Sequence, residues 1–374
     1  MRICIDGRMY GKGFTGIGRY IQELLNYLVK IDQENEYLVL LTKENFEEFD
    51  IKQLNFKKEL ADFKHYSLNE QTKFLKHLKN KEIDLVHFPH FNIPIFYKEP
   101  FVITIHDLIH TLFPGKKLTR FFHRQAYNIV LRSAVKHAKK IIAVSENTKK
   151  DLIKIVGADP SKVKVIYEAV DSKYYPVTDH KKLSDLKAKY DITKPFLLYI
   201  GNWRYHKNVH GLVEAFNLIK EQGKIDCQLV LPGKMGRGHQ EEAEVAIKDS
   251  PFRSDIILPG FIPEEELPLL YNAATVFAFP SFYEGFGLPP LEAMACATPV
   301  VSSNASCMPE VLGDVAEYFD PNSTEEMAKK LVKVLKDENL RKELSKKGPL
   351  RAKQYSWERM AKETLDVYRN VVNN

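Results

Sequence analysis

Two carboxylates, Glu284 and Glu292, stand close together in the stretch FPSFYEGFGLPPLEAMACATPVV, residues 279–301. Carboxylate oxygens accept hydrogen bonds from hydroxyl groups, of which a sugar and a ribose carry many. Either acid alone is also what a helix amino-terminus favours, because the macrodipole stabilises negative charge there. The pair, placed around FGLPP, favours a site that binds a hydroxyl-rich ligand.

A strand, a glycine loop and a helix must position this pair. An apolar run at 275–279 predicts a short buried strand, which ends before the glycine-rich segment 284–287. A double proline then suits the first positions of a helix that we expect through 291–297. Donors and the dipole at that amino-terminus favour an anionic or oxygen-rich ligand. The backbone amides expected there are those of Phe286, Gly287 and Leu288.

The segment YEGFGLPPLEAMACATPVV closely resembles the signature of the retaining nucleotide-sugar glycosyltransferases of family 4 (glycosyl transferases group 1), which have the GT-B fold. The resemblance implies that Glu284 contacts the transferred sugar and that Glu292 holds the ribose of the donor. Ala297 departs from the signature, because the family usually has glycine before Thr-Pro. The similarity continues through MPEV and LGD, as far as Asp320.

A basic segment, GNWRYHKN at 201–208, follows a predicted strand and precedes the predicted helix 209–220. Arg204 and Lys207 there would neutralise a diphosphate leaving group, which arginine can bind in a bidentate manner. A surface lysine is often only solvated, but cations at the carboxyl end of a strand in an α/β sheet are well placed for a ligand. The resembled family has a basic pair in this turn. Lys207 matches it, whereas His206 stands where many members carry arginine.

A glycine-containing segment, FTGIGRY at 14–20, leads into a helix expected over 17–30. The overlapping GKGFTG fits the G-x-G-x-x-G pattern of dinucleotide-binding proteins, but the loop is too long for it and no ribose-binding acid follows before Glu44. The segment is similar instead to the first-domain glycine loop of the glycosyltransferases, which approaches the donor phosphates. We expect Gly16 and Gly18 in this loop, permitting close backbone approach and positive φ; a flexible loop before a helix is the alternative.

A histidine ends another apolar strand, in TIHDLIHTLFP. His106 follows the predicted strand 102–105, and the family resemblance places it beside the transferred sugar. A histidine that is only hydrogen-bonded within its loop fits the same pattern. His87 and His90 lack metal-ligand spacing, so we interpret them as structural or acceptor-side residues.

Strands alternate with helices in both halves, which predicts an α/β fold with two Rossmann-like, doubly wound parallel sheets. The 374 residues exceed what one core usually spans. We expect an amino-terminal, acceptor-side domain at 1–175 and a nucleotide-sugar-binding domain at 176–355. Such domains would face a cleft, as in the GT-B fold that the resemblance implies. In that fold the last helix, within 356–374, crosses back to the first domain.

The composition is typical of a globular protein, with 44% hydrophobic and 28% charged residues. No apolar run approaches the ~18 residues of a membrane span, and the amino-terminus lacks the apolar stretch of a signal peptide. The four cysteines are scattered without C-x-x-C spacing, which favours buried thiols in a reducing compartment over zinc ligands. We therefore expect a cytoplasmic protein.

Charge is unevenly distributed, although the net charge is only +6. Between Leu108 and Ser145 there is no acidic residue, but there are eight basic ones: Lys116, Lys117, Arg120, Arg124, Arg132, Lys136, Lys139 and Lys140. This basic segment would suit anionic lipid at the inner face of a membrane or a phosphate-bearing acceptor; a solvated helix face is the alternative. Nucleic acid is disfavoured because no binding module accompanies the charge.

The motifs together predict a hexosyltransferase that moves a sugar from a nucleotide diphosphate-sugar to a glycan or lipid-linked acceptor, and the family resemblance implies that the anomeric configuration is retained. They are most similar to bacterial mannosyltransferases that use GDP-mannose, and UDP-sugars stay open. No D-x-D pair occurs, so we expect neither a bound metal nor another cofactor. The alternatives are a GT-B-fold nucleotide-sugar epimerase or phosphorylase, a non-catalytic sugar-binding protein and an NAD-dependent oxidoreductase.

Overall fold

The structure is a computed structural model and describes residues 1–114, 121–223, 225–233 and 241–373. The chain divides into two compact units. The amino-terminal unit comprises Met1–Leu108, Lys116–Glu168 and Ser356–Asn374, and the carboxyl-terminal unit comprises Ile109–Gly115 and Ala169–Tyr355. The division after Glu168 lies a few residues before the expected boundary at 175, and the end of the chain groups with the amino-terminal unit.

One parallel sheet forms the centre of each unit, which confirms the predicted α/β class. In the amino-terminal unit the strands are β1 (Arg2–Asp6), β2 (Glu36–Leu41), β3 (Phe56–Leu60), β4 (Leu85–Phe88), β5 (Phe101–Ile105), β6 (Lys140–Ala143) and β7 (Val163–Val165). Their order across the sheet is β3-β2-β1-β4-β5-β6-β7. The central strands are mostly apolar and are buried along their whole length, as strands covered on both faces must be.

The sheet of the carboxyl-terminal unit repeats this winding. Its strands are β8 (Phe196–Leu198), β9 (Gln228–Val230), β10 (Ile256–Ile257), β11 (Val276–Phe279), β12 (Val300–Ser303) and β13 (Glu317–Phe319). They lie in the order β10-β9-β8-β11-β12-β13. In both sheets the order reverses beside the first strand, between β1 and β4 and between β8 and β11. Ligands of doubly wound sheets bind at such switch points, outside the carboxyl ends of the strands.

Helices connect the strands and cover the sheets. In chain order they are α1 (Thr15–Ile31), α2 (Lys43–Phe46), α3 (Leu75–Lys79), α4 (Ile109–Leu112), α5 (Phe121–His137), α6 (Glu146–Asp151), α7 (His180–Lys189), α8 (Val209–Glu221), α9 (Glu241–Asp249), α10 (Leu267–Ala273), α11 (Leu288–Ala295), α12 (Met308–Leu312), α13 (Thr324–Lys336), α14 (Glu338–Ala352) and α15 (Trp357–Val372). The predicted helix at 209–220 is confirmed almost to the residue, and the last helix lies within 356–374 as expected. Ser145 caps α6, because its hydroxyl oxygen accepts a hydrogen bond from the amide of Thr148.

Two elements lack the local sequence patterns that mark the other strands and helices. The edge strand β3 reads Phe-Lys-Lys-Glu-Leu and is largely exposed, so it lacks the apolar run that marks the central strands. Helix α14 contains a Gly-Pro pair that reads as a helix breaker. Gly348 instead lets α14 approach α11, because a Cβ there would lie 2.9 Å from the carbonyl oxygen of Met294.

Candidate functional site

Lys207 and Glu284 form an ion pair at the switch point of the second sheet. Lys207 follows β8 and Glu284 follows β11, and these two strands pair directly. Lys207 Nζ donates to both carboxylate oxygens, at 2.7 Å to Oε1 and 2.8 Å to Oε2. The two side chains are 14% and 8% exposed, so the pair is shielded from most solvent but still reaches the surface. The fold thus joins a cation and an acid that are 77 positions apart in the chain.

The loop that carries Glu284 is anchored to its neighbours through the backbone. The amide of Glu284 donates to Ser306 Oγ at 2.9 Å, and its carbonyl oxygen accepts from Cys307 Sγ at 3.3 Å. Burial raises the pKa of the Cys307 thiol well above its ordinary value, which keeps it a neutral donor. The amide of Phe282 donates to the carbonyl oxygen of His206 at 2.8 Å. These bonds anchor the loop that carries the acid.

Gly287 turns this loop into α11. Its φ of +87° lies in the left-handed region that favours glycine, and a Cβ at this position would also have to displace Met308 Cε, 2.3 Å away. Leu288 is the first residue of the helix, one residue before the double proline that was predicted to begin it. No side chain of the described residues caps this helix end. The neighbouring Phe286 is buried and packs edge-to-face on Tyr355, with 5.4 Å between ring centroids.

Glu292 lies one turn into α11 and is buried, with 5% exposure. Its Oε2 accepts a hydrogen bond from Tyr271 Oη at 2.8 Å. Burial, reinforced by the nearby charge of Glu292, raises the pKa of Tyr271 well above its ordinary value, so the phenol stays a donor. The hydrogen bond from Tyr271, on α10, therefore orients the carboxylate of Glu292, on α11.

The cations of the 201–208 turn differ in accessibility. Arg204 is exposed and makes no ion pair with any described residue, so its guanidinium is available to an anion. His206 is buried, and burial together with the charges of Lys207 and Arg204 lowers its pKa to about 3. His206 is therefore neutral at physiological pH and does not replace the arginine that many family members carry. Lys207 and Arg204 are therefore the candidate anion ligands in this turn.

In the amino-terminal unit, His106 follows β5 with both ring nitrogens engaged. Its Nδ1 lies 2.8 Å from Glu168 Oε1, and its Nε2 lies 3.0 Å from the carbonyl oxygen of Pro89. Burial disfavours the charged ring, but the hydrogen bond and charge of Glu168 outweigh burial and raise the pKa of His106. Because both neighbours are acceptors, the geometry suits a doubly protonated ring. The structure does not bring His106 together with another predicted residue of its unit.

The prediction that the two glycines of the 14–20 segment lie in a loop with positive φ is wrong. Helix α1 already begins at Thr15, so Gly16 and Gly18 are helical and neither has a positive φ. A Cβ on Gly18 would lie 2.1 Å from the carbonyl oxygen of Gly11, which makes glycine necessary there for close packing. A Cβ on Gly16 would meet no atom within 4 Å. Of the two, only Gly18 is needed by the fold.

An ion-pair network at the switch point of the first sheet escaped the sequence analysis. Arg8 follows β1, is fully buried and pairs with Asp6 at 2.7 Å and with Glu70 at 2.8 Å. Its guanidinium carbon also lies 3.8 Å from the centre of the Phe74 ring. Glu70 accepts a further bond, at 2.6 Å, from Asn92. Because Arg8 and Glu70 are 62 positions apart, no local pattern announces their pairing.

Other expectations concern metals, membranes and cysteines. Among the described residues, no three His, Cys, Asp or Glu side chains are arranged to hold a metal ion. Within those same ranges, no helix has the length and apolar character needed to cross a bilayer. All the cysteines are buried with free thiols. In the basic segment, Lys116, Lys117 and Arg120 lie outside the described residues.

Comparison with known families identifies both units. The family described as glycosyl transferases group 1 matches residues 184–351, which carry Arg204, Lys207, Glu284 and Glu292. Glycosyltransferase family 4 matches residues 14–174, which carry His106. The two matches cover most of the chain and agree with the resemblance seen in the glutamate motif.

Individual relatives support the same assignment. The chain is 31% identical over 375 residues to the O-antigen chain mannosyltransferase B of Escherichia coli, covering 95% of this chain and 96% of that protein. It is 29% identical over 277 residues to the serotype-specific mannosyltransferase WbdA of Escherichia coli, covering 73% of this chain but only 34% of the relative. A sucrose-phosphate synthase from Thermosynechococcus elongatus has the same fold, with a TM-score of 0.80, 20% identity and 99% of each chain covered. The GT-B expectation is thereby confirmed.

Proposed function

Because this chain belongs to the glycosyltransferases of group 1 and family 4, we propose that it transfers mannose from GDP-mannose to a hydroxyl group of a glycan or a lipid-linked acceptor. The observation that supports this most is the Lys207–Glu284 pair at the switch point between β8 and β11, beside the amino-terminus of α11. In this fold class that position is where a phosphate-bearing ligand is expected.

The proposed reaction exchanges one bond for another. The acceptor hydroxyl oxygen forms a bond to the anomeric carbon of mannose, the bond from that carbon to the diphosphate breaks, and GDP leaves with the electron pair. We propose front-face attack with retention, in which the leaving phosphate takes the acceptor's proton. The resemblance to retaining enzymes supports this, and no residue is proposed as a covalent nucleophile.

Lys207 and Arg204 would stabilise the charge that develops on the leaving diphosphate. Lys207 is held near the surface by Glu284, and the exposed Arg204 can add a bidentate contact. The amides of Gly287 and Leu288 at the start of α11 would add dipolar stabilisation, together with that of Phe286. Preorganised groups of this kind can stabilise the transition state electrostatically, so we propose that the reaction needs no metal ion.

The acids would bind the sugar parts of the donor. With Lys207 turned toward phosphate, Glu284 would accept hydrogen bonds from hydroxyls of the transferred mannose. Glu292, with one oxygen fixed by Tyr271, would accept from the ribose. His106 is proposed to act through the positive charge that Glu168 stabilises on its ring, because neither nitrogen is placed to take a proton from substrate.

Incubation with radiolabelled nucleotide-sugars tests the proposal. We expect release of GDP and slow hydrolysis or transfer with GDP-mannose, and at least tenfold less with UDP-glucose. Faster turnover of UDP-glucose would overturn the assignment of the donor but not the proposal that the protein is a glycosyltransferase. Turnover that needs free phosphate, interconversion of the sugar without transfer, or consumption of NAD(P)H would support a phosphorylase, an epimerase or an oxidoreductase instead. The anomeric configuration of the product, read by NMR, tests retention.

We also propose that α5 contacts an anionic membrane at the cytoplasmic face. Phe122 and Ile129 are 82% and 55% exposed on this helix, beside exposed Arg124 and Arg132. Basic residues near an anionic surface contribute roughly 1 kcal/mol each. The double substitution Arg124→Glu and Arg132→Glu should therefore weaken binding to phosphatidylserine vesicles more than tenfold.

A matched control for this experiment lies on α14, where the exposed Lys342 and Lys346 are also basic. Substituting both by glutamate changes the net charge by the same amount and should leave vesicle binding within twofold of the wild type. An equal loss from both double variants would show that net charge alone drives binding, and would exclude α5 as the contact.

A further inference from the structure

Asn208, the residue after Lys207, is 2% exposed and joins three loops of the carboxyl-terminal unit. Its side-chain amide donates to the carbonyl oxygen of Pro280 at 3.2 Å and to that of Pro321 at 2.9 Å. Pro280 begins the loop that carries Glu284, and Pro321 lies in the loop after β13. One buried amide therefore fixes the turn of Lys207 against two other loops.

The backbone of Asn208 explains why asparagine suits this position. Its φ of 54° and ψ of 35° are left-handed, a conformation that asparagine and glycine tolerate best. Its carbonyl oxygen accepts the amide of Leu212 at 3.1 Å and so begins α8. The chain turns sharply here while the side chain stays buried. Glycine would keep the turn but lose both amide bonds, and aspartate would direct an acceptor at two carbonyl oxygens.

Gly211 provides the space that this amide occupies. A Cβ at position 211 would lie 2.5 Å from Asn208 Oδ1 and 3.1 Å from Nδ2. Glycine within a helix is normally less stable than alanine, so its presence inside α8 calls for a compensating contact. Alanine at position 211 would displace the Asn208 side chain from its place against the helix.

We propose that Asn208 is a positioning residue for glycosyl transfer, acting through Lys207 and Glu284, and that Gly211 is required to accommodate it. This inference rests on the proposed function of the pair. Both amide protons of Asn208 are used by carbonyl oxygens, so the side chain has no donor left for substrate. Asn208 holds the loop of Lys207 and the loop of Glu284 at the separation that the ion pair of these two residues requires.

Substitution of Asn208 tests the positioning role. We expect Asn208→Gly and Asn208→Asp to lower kcat about tenfold, with a smaller change in the KM for the donor, because loss of one buried hydrogen bond is enough for such an effect. The matched control is Asn55→Asp. The Asn55 amide donates to the carbonyl oxygens of Asp32 at 3.1 Å and Asn35 at 2.9 Å, in the amino-terminal unit, and neither partner is a proposed site residue.

Asn55→Asp should lower the melting temperature and leave kcat unchanged, whereas the Asn208 variants should lower both. If the Asn208 variants lose only thermal stability, as the control does, the positioning role is overturned. Wild-type transfer is measured first. Absence of transfer by the wild type would refute the proposed function, whereas normal transfer by the Asn208 variants would refute only this inference.

A double-mutant cycle tests the role of Gly211 without any substrate. Gly211→Ala should lower the melting temperature of the wild type by several degrees, because the methyl group displaces the Asn208 amide. In the Asn208→Gly background the same change should raise it, because alanine is the better helix former once the amide is gone. An equal loss in both backgrounds would overturn the coupling.

Discussion

The two sheets carry a cation at equivalent places, and the structure uses the two cations differently. Arg8 follows β1 as Lys207 follows β8, each beside the switch point of its sheet. Arg8 is completely enclosed and is neutralised by Asp6 and Glu70. Within the described ranges Lys207 has a single carboxylate partner, Glu284, and both side chains remain partly exposed.

The difference shows that an ion pair at a switch point is not in itself a ligand site. A fully buried cation with two acids around it has its charge satisfied within the protein, and moving it would leave buried carboxylates unpaired. A shielded but reachable pair can exchange one partner for a ligand at much lower cost. Accessibility and the number of partners, not residue type, distinguish the Arg8 network from the pair that we propose binds the donor.

The largest effect is expected from Arg8→Met. The change leaves Asp6 and Glu70 buried without their cation, which should cost about 3–5 kcal/mol of unfolding free energy, measured by urea denaturation. The folded protein should bind GDP as the wild type does. The triple variant that adds Asp6→Asn and Glu70→Gln should recover most of the loss. Weaker GDP binding by folded Arg8→Met would contradict a purely structural role.

Glu284→Gln should act on turnover instead of stability. Removing the charge that is proposed to meet the transferred sugar should lower kcat about a hundredfold, as loss of one preorganised electrostatic contact typically does. Steady-state kinetics with GDP-mannose measure this. The melting temperature should change by only a few degrees, since Lys207 can turn to solvent. A variant with normal kcat would remove Glu284 from the mechanism.

Glu292→Ala should weaken nucleoside diphosphate binding about tenfold, because hydrogen bonds from ribose hydroxyls to a charged acceptor are lost. Calorimetric titration with GDP and with 2′,3′-dideoxy-GDP isolates the ribose contribution. The wild type should prefer GDP, and the variant should bind both alike. Tyr271→Phe, which removes only the hydrogen bond that orients the acid, should have a smaller effect. A retained preference for GDP in Glu292→Ala would exclude the ribose contact.

The smallest effect is a pH dependence centred on His106. Its pKa is raised in the folded protein, so its charged form contributes stability that is fully present below about pH 6.5 and is lost as the pH rises through the folded pKa. The free energy of unfolding of the wild type should exceed that of His106→Gln by about 1 kcal/mol at pH 6, and this difference should narrow toward pH 9. Urea denaturation at several pH values measures it. A gap that widens with pH would contradict the Glu168 contact.

Local patterns predicted what lies on one continuous segment. The strand, the turn at Gly287 and the helix with Glu292 follow from residue types within a few positions of each other, and so do most central strands and long helices. Contacts between distant segments could not be predicted. The pairing of Lys207 with Glu284, of Arg8 with Glu70 and of His106 with Glu168 depends on which loops the sheet order brings together.

One error in the sequence interpretation has a local cause. Helix α1 was expected to begin at residue 17, but it begins at Thr15 after Phe14, whose side chain makes no capping hydrogen bond. The usual Ser, Thr, Asp or Asn signal for a helix start is therefore missing, which is why the sequence pattern placed the glycines in a loop. The carbonyl oxygen of Gly11, which excludes a side chain at Gly18, is visible only in three dimensions.

Calorimetric titration of GDP into wild type, Glu284→Gln and Lys207→Ala tests the central claim most directly. If Lys207 binds the diphosphate, Lys207→Ala should weaken GDP binding at least tenfold, and in kinetic assays it should lower kcat/KM ten- to a hundredfold. Glu284→Gln should bind GDP as tightly as the wild type or more tightly, because it releases the lysine. Unchanged GDP affinity in Lys207→Ala would show that the Lys207–Glu284 pair is structural, like the Arg8 network, and would contradict the account.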